Sequence, residues 1–390
     1  MVDFEVGVVL PAAGCGERMG SSVPKQYIKI LKKPLFIYAL EEFLSIRYVK
    51  KISLVVDNIE MTTDILKEFG LADSQKVSVV FGDKTRHRSI KAGLLELQRH
   101  YQESDIKVVV VHDAVRPFVP RSLLGELVRS AAEVGAAGPV RPLVSTVVKP
   151  GNDSCLDASL QRSAYAASET PQAFQFEILM SAYAKCTEEE LDLGTECLQL
   201  VLTHCGLRPK LITSSDDLWK VTYNKDIYIV EATIREKSTD VCIITDFESD
   251  ALNLLEDALK NKVASVKIVL GTSSSKNQDN GKKYNTVILL HRHEIQQDLH
   301  LVDFANLIDL DKQGLIIHII DHASIDGMQS MSVYNLHRNS RKMAHHYEKL
   351  HKGVVVIHCV SSNEAQKVTN IVISLLQSDP QTFSGQTLFL

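Results

Sequence analysis

Apolar positions along the chain fall into two alternating patterns. Short continuous runs rich in β-branched residues, "VGVVL", "ISLVV", "VSVVF" and "KVVVV", are interleaved with segments in which apolar residues recur three and four apart. The first pattern predicts strands buried on both faces, and the second predicts helices laid against them. Helices are expected over 34–47, where Pro34 suits a first turn, and over 88–99, where Ile90, Gly93, Leu94 and Leu97 share one face. After the helical stretch "KDIYIVEATIREK" the chain passes "STD" at 238–240 and the alternation restarts. It runs through "VCIIT", a helix over 250–260, "VKIVL", "TVILL", "LIIHII", "VVVIH" and a closing helix over 363–377. The expected class is α/β, with a mostly parallel Rossmann-like sheet in a domain over 1–237 and a second, degenerate Rossmann-like α/β domain over 238–390.

Bulk composition changes little in this picture. With 390 residues, 45% of them hydrophobic, the chain can fill two cores. The polar stretch "GTSSSKNQDNGKK" at 271–283 reads as a mobile surface loop, and there is neither an internal repeat nor a heptad run. A net charge of −5 argues against a nucleic-acid partner, so any bound anion must be met by local charge. The seven cysteines are odd in number and include no CxxC pair, which suits reduced thiols in the cytosol better than a disulfide framework or a zinc site. The late histidines form no HExxH motif. No apolar run approaches about 18 residues and no signal-peptide profile opens the chain, so neither membrane insertion nor secretion is expected.

The chemistry concentrates in "LPAAGCGERMGSSVPKQY", Leu10 to Tyr27, directly after the first predicted strand. A glycine-rich turn there lets backbone N–H groups approach phosphate oxygens. The P-loop pattern is not met, because Ser21 and Ser22 follow Gly20 where lysine is required. The dinucleotide fingerprint fails too: after Gly14, Gly16 and Gly20 the nearest strand-end acid is Asp57, about 40 positions on instead of about 20. A third pattern, AAGxGxRM continuing to PKQ, is complete. It gives Arg18 and Lys25 a reason to exist, since displacement at the α-phosphorus of a nucleoside triphosphate gathers negative charge that fixed cations stabilise.

Further segments join that loop. "GDKTRHRSI" at 82–90, "HDAVRPF" at 112–118, "VRPLVSTVVK", "LQRSAYAASETPQAF", "GTECLQL" and "LWKVTYNKD" follow in order. With them the sequence resembles, over residues 5–235, the sugar-alcohol phosphate cytidylyltransferases, a family that includes methylerythritol-phosphate and ribitol-5-phosphate enzymes. "RPLVSTVV", "PQAF", "GTECLQL" and "DLWKVTY", with the C-terminal extension, point to the ribitol-5-phosphate branch. The resemblance implies a nucleotidyltransferase fold with a dimerisation arm at about 149–165, whose tip suits Gly151, Asn152 and Asp153, and a homodimer. It implies a nucleotide site formed by Ala12, Ala13, Gly14, Gly16, Arg18, Lys25, Gly82, Arg86, Ser89 and Asp113. It implies an acceptor site formed by Asp113, Arg116, Thr146, Arg162, Thr170, Thr195 and Lys220, with Thr146 and Arg162 serving a neighbouring subunit. Asp113 would stand close to the phosphates or their Mg²⁺. Three positions depart from the family pattern: Asp83 stands where many members carry a second glycine, Val115 where alanine is commoner, and Cys197, after Glu196, where many members have a second acidic residue.

The activity implied is transfer of CMP from CTP to D-ribitol 5-phosphate, giving CDP-ribitol and pyrophosphate, with Mg²⁺ on the triphosphate. Arg18, Lys25 and Lys220 would carry the transition-state charge, and the product would supply dystroglycan O-mannosyl glycosylation. A phosphate oxygen is already an anionic nucleophile, so the chemistry asks for positioning and charge neutralisation, with no covalent intermediate. Two alternatives stay open: 2-C-methyl-D-erythritol 4-phosphate as acceptor, and a catalytically silent scaffold. In the second domain no glycine follows "VCIIT", and Asp246 and Glu248 lie where a dinucleotide phosphate would approach, so a dinucleotide site is not expected there.

Overall fold

The computed structural model describes residues 2–14, 19–20, 23–99, 105–214, 218–245, 247–270, 282–292, 307–309, 312–321, 334, 338, 341–342, 344–345, 352–359 and 364–390. The chain divides into two compact units, Met1–Val230 and Glu231–Leu390. Gly16, Arg18 and Asp246, and most of the 271–283 loop, lie outside the described residues.

The first unit opens with β1 (Glu5–Ala12), the short pair β2 (Lys29–Ile30) and β3 (Lys33–Pro34), and α1 (Leu35–Leu44). Then come β4 (Val49–Val56), α2 (Ile59–Glu68), β5 (Val77–Phe81), α3 (Arg86–Arg99) and β6 (Ile106–Val111). They are followed by α4 (Arg121–Val134), β7 (Ala136–Pro142), β8 (Val147–Pro150), β9 (Leu156–Leu160), β10 (Ala166–Ser168) and β11 (Gln172–Gln175). The unit closes with α5 (Phe176–Lys185), α6 (Glu188–Leu193), α7 (Cys197–Cys205), β12 (Lys210–Thr213) and α8 (Asn224–Ser238), in which the division between units falls.

The main sheet has the order β10-β7-β11-β6-β1-β4-β5, with β12 beside β7. β5, β4, β1 and β6 run parallel, whereas β11 is antiparallel to both β6 and β7. The valines of β1, β4 and β6 are buried because helices cover both faces, which is why these strands read as unbroken apolar runs. α3 shows the predicted face: Ile90, Leu94 and Leu97 are fully buried, and a Cβ on Gly93 would lie 2.6 Å from Val9 Cγ1 and 2.9 Å from Val55 Cγ2. The chain leaves β1 for β4 and β5 on one side and returns to β6 on the other. This reversal opens a crevice beyond the carboxyl ends of β1 and β6, where α/β sheets hold ligands. β8 and β9 form a separate antiparallel hairpin, turned at 151–155, at the predicted arm.

The second unit contains β13 (Asp240–Thr245), α9 (Asp250–Lys260), β14 (Ser265–Leu270), β15 (Thr286–Arg292), β16 (Gly314–Asp321), β17 (Lys352–Cys359), α10 (Ala365–Gln377) and β18 (Gln386–Phe389). Its strands pair parallel throughout in the order β14-β13-β15-β16-β17-β18. One apolar layer, with Leu252, Leu255, Leu259, Val368 and Val372, fills the side covered by α9 and α10. Among the described residues no helix is long and apolar enough to cross a membrane.

Candidate active site

At the crevice of the first sheet a cavity of about 350 Å³ is lined by Pro11 to Gly14, Lys25, Gln26, Asp83 to Arg86, Ser89, Asp113, Val115 and Lys220. Its floor is the end of β1, and its walls are the loop after β5 and the loop after β6. Glycine is required at Gly82, because a Cβ there would stand 2.3 Å from Ala13 Cβ. The Ser89 hydroxyl accepts from Asp83 N at 3.0 Å and donates to Asp83 O at 3.1 Å, holding the 82–83 turn against the start of α3. Asp57, at the end of β4, accepts from Tyr27 Oη at 2.7 Å and Gln26 Nε2 at 3.4 Å, fixing the short helical turn that carries Lys25.

Three cations meet one carboxylate at the end of β6. Asp113 Oδ1 accepts from Arg86 Nη2 at 3.0 Å and Nε at 3.1 Å, while Oδ2 faces Lys220 Nζ at 2.9 Å and Arg116 Nε at 3.4 Å. Burial alone would raise the pKa of Asp113, but Arg86, Lys220 and Arg116 together hold it well below the usual carboxylate range. Burial opposes the charge on Arg86 in turn, and Asp113 overrides it, keeping the guanidinium firmly protonated. Asp113 N donates to Thr170 Oγ1 at 3.2 Å. Arg116 is buttressed by donation to the Leu218 carbonyl and lies 3.8 Å from Glu169. Behind Arg86 lie Cys197 Sγ at 3.9 Å from Nη1, the Tyr183 hydroxyl at 3.5 Å from that thiol, and His87 Nδ1 at 2.7 Å from the hydroxyl.

The lining carries Lys25, Lys84, Arg86 and Lys220 against Asp83 and Asp113, a positive surplus in a chain that is negative overall. That is a receptor for a polyanion. It is not a cage for Mg²⁺. Both oxygens of Asp113 are committed to cations, and Asp83 is the other lining carboxylate, so Asp113 does not fit the direct metal-ligand role expected for it.

The predicted residues divide into three sets. Ala12, Ala13, Gly14, Lys25, Arg86, Ser89, Asp113 and Lys220 converge on the cavity. Arg116 and Thr170 are buried behind Asp113, and Gly82 closes the turn beneath it. Thr195 is exposed, and it is its carbonyl, not its hydroxyl, that accepts from Arg86 Nη1 at 3.2 Å. Thr146 and Arg162 are exposed in the arm region, where Arg162 donates to the Val144 carbonyl and lines a separate concavity with Leu143, Tyr165 and Thr213. Sequence reasoning missed Lys84, Thr85 and Gln26, although all three stand inside quoted motifs, and it missed the Tyr183–His87 support, for which no local spacing gives a signal.

Residues 6–236 match the sequence family described as 2-C-methyl-D-erythritol 4-phosphate cytidylyltransferase (IspD). A D-ribitol-5-phosphate cytidylyltransferase of Homo sapiens is 44% identical over 272 residues, which make up 67% of this chain and 60% of that protein. The Rattus norvegicus protein of the same name is 36% identical over 378 residues, 94% of this chain and 77% of its relative. The chain thus spans about 60% of the length of the human relative it matches. The crystal structure of a 4-diphosphocytidyl-2C-methyl-D-erythritol synthase from Anaerococcus prevotii superposes with a TM-score of 0.50 at 22% identity, covering 60% of this chain and 96% of that one, and shares its fold.

Proposed function

The chain belongs to the 2-C-methyl-D-erythritol 4-phosphate cytidylyltransferase family, and from that premise we propose that it transfers CMP from CTP to D-ribitol 5-phosphate, releasing pyrophosphate. One observation carries the reading: Lys25, Arg86 and Lys220 are gathered at the mouth of the β1/β6 crevice, two of them held by Asp113. Ribitol 5-phosphate is favoured as acceptor by the names of the relatives.

An oxygen of the acceptor phosphate attacks the α-phosphorus in line, a new P–O bond forms, and the bond from the α-phosphorus to the bridging oxygen breaks, that oxygen leaving with pyrophosphate. No proton has to be removed from the nucleophile, so the residues act by placing charge. The backbone of Ala12 to Gly14 and the ammonium of Lys25, joined by Arg18, hold the triphosphate. Lys220 stands where the two anionic substrates meet and offsets their repulsion as they close. Asp113 keeps Arg86 and Lys220 oriented before substrate arrives, so their positions cost nothing at the moment of reaction. Enzymes of this family generally depend on a divalent cation; here Mg²⁺ would enter on the triphosphate and neutralise it. Arg116 and Thr170 support Asp113, Thr195 supports Arg86 through its carbonyl, and Thr146 and Arg162 reach the acceptor in a neighbouring subunit of a homodimer. The reaction belongs in the cytosol, where reduced thiols such as Cys155 and Cys197 persist, and its CDP-ribitol would feed dystroglycan O-mannosyl glycosylation.

The test is pyrophosphate release from CTP and Mg²⁺ with ribitol 5-phosphate and 2-C-methyl-D-erythritol 4-phosphate in parallel. Release with ribitol 5-phosphate is expected. Release with methylerythritol phosphate alone would replace the acceptor, and release with neither would return the protein to the scaffold reading.

A further inference from the structure

On the far side of α6 from the cavity, three side chains of different chemistry point at one another. Cys186 follows α5, Glu190 lies in α6 and His204 lies in the last turn of α7, and one ligand atom from each falls within 4.8 Å of the others. We propose that Cys186, Glu190 and His204 bind a borderline divalent cation of the zinc class, stapling α5, α6 and α7 together. The proposal does not depend on the acceptor or on the activity assigned above.

Thiolate, carboxylate and imidazole are the donors zinc takes. Around a tetrahedral ion with bonds of about 2.0 to 2.3 Å, neighbouring donor atoms sit roughly 3.5 Å apart. The ligand atoms, within 4.8 Å of one another, stand little more than about an ångström from that spacing. Glu190 is already held in place. Its Oε2 accepts from Thr187 N at 2.9 Å and from the Thr187 hydroxyl at 3.1 Å in the capping box that starts α6. His204 Nε2 lies 2.9 Å from its Oε1 and 3.0 Å from its Oε2. Ligating carboxylates are commonly oriented by hydrogen bonds of the kind Thr187 supplies. Cys186 donates to the Ala182 carbonyl at 3.3 Å. All three residues are half-buried. Cys205 stays outside the group, its thiol directed at the Ile178 carbonyl at 3.6 Å.

The staple has a consequence for the neighbouring wall. The opposite side of α6 is tied to α3 by Arg88, which meets Glu188 at 2.5 Å and Asp192 at 2.7 Å, and by Thr85 Oγ1, which donates to the Leu191 carbonyl at 2.5 Å. An ion at the three-helix group would fix the segment that buttresses Arg86.

The experiment uses untagged full-length protein, stripped with chelator and titrated with Co²⁺ as probe. One Co²⁺ per chain is expected, with a thiolate-to-metal charge-transfer band in the near ultraviolet that zinc abolishes stoichiometrically. C186S should lose the band, H204Q and E190Q should weaken binding by at least about tenfold, and C205S should keep both. Circular dichroism confirms that each variant is folded. If C186S does not fold, H204Q and E190Q carry the test. Absence of the band in folded wild-type protein at excess Co²⁺, or a band unchanged in C186S, overturns the proposal.

Discussion

Both units are open, mostly parallel sheets packed with helices, and each has a crevice beyond the carboxyl ends of its strands, yet the described residues that line the two crevices differ in charge. In the first, Lys25, Lys84, Arg86 and Lys220 outnumber the carboxylates. In the second, the ends of β13, β15, β16 and β17 and the starts of α9 and α10 enclose Phe247, Leu290, Ile319, Asp321, Cys359 and Glu364, with no lysine or arginine in the lining among the described residues. Burial there pushes the Cys359 thiol up to about 11, and Asp321 and Glu364 add to it. Among the described residues, a phosphate approaching the first crevice meets mostly cations, and one approaching the second meets Asp321 and Glu364, the latter paired with Lys367 at 2.9 Å. The same layer architecture therefore carries different linings, and the fold alone assigns neither.

The comparison breaks most readily at Lys220. Lys220→Ala should lower kcat by about 10² to 10³, roughly 3 to 4 kcal/mol of transition-state stabilisation. Far-ultraviolet circular dichroism should stay unchanged, since Lys220 is partly exposed and its loss leaves Asp113 still paired with Arg86 and Arg116. A drop of less than about threefold in pyrophosphate release would remove the cation from the chemistry.

A smaller effect tests the arm. Arg162→Ala should raise the acceptor KM by about tenfold while the CTP KM moves little. Mixed dimers sharpen this. If the arm serves the neighbour, a dimer of one Lys220→Ala chain and one Arg162→Ala chain contains one site with both residues intact and should recover about half of the wild-type acceptor affinity sites. If the arm serves its own chain, both sites are damaged and nothing is recovered.

How much of this was legible in the sequence differs between the two crevices. The strands, the α3 face and the Lys25, Arg86, Asp113 and Lys220 positions were readable because each is a local pattern: an apolar run, a three-and-four spacing, or a motif at a strand end. The convergence of Arg86, Arg116 and Lys220 on Asp113 was not, because it brings together three separate segments, the start of α3, the loop after β6 and, more than a hundred positions on, the stretch that carries Lys220. Thr195 illustrates the limit: a motif marks the position, but only the backbone path reveals that its carbonyl is the working group. The resemblance implied that Asp113 stands close to the phosphates or their Mg²⁺, and two of the three cations paired with it, Arg86 and Lys220, come from other motifs. The Cys186, Glu190 and His204 group was invisible for the same reason, since its donors sit on three helices without metal-site spacing.

Stability should also depend on pH through the first unit. In the first unit, burial lowers His112 to about 4, and burial with the nearby Arg86 charge lowers His87 to about 4. Each binds a proton in the unfolded chain near pH 6.5 but resists it when folded. Their contribution is thus fully present above about pH 6.5 and is lost as pH falls toward 4. Thermal midpoints should fall across that window, and His112→Asn should flatten the slope.

The smallest expected effect lies in the second crevice. Asp321→Asn with Glu364→Gln removes the two carboxylates that line this crevice among the described residues, yet turnover should stay within about twofold of wild type, because neither residue belongs to the cavity proposed to hold CTP. Calorimetric titration with CTP should give one site per chain in the wild type and in the double variant. Neutralising the acids removes repulsion but supplies no cation and no glycine turn, and absence of repulsion is not attraction. A second nucleotide per chain in the wild type would mean that Asp321 and Glu364 do not face the ligand, and the charge contrast between the crevices would lose its meaning. A second nucleotide only in the double variant would make those two carboxylates the whole difference between a sheet that binds nucleotide and one that does not.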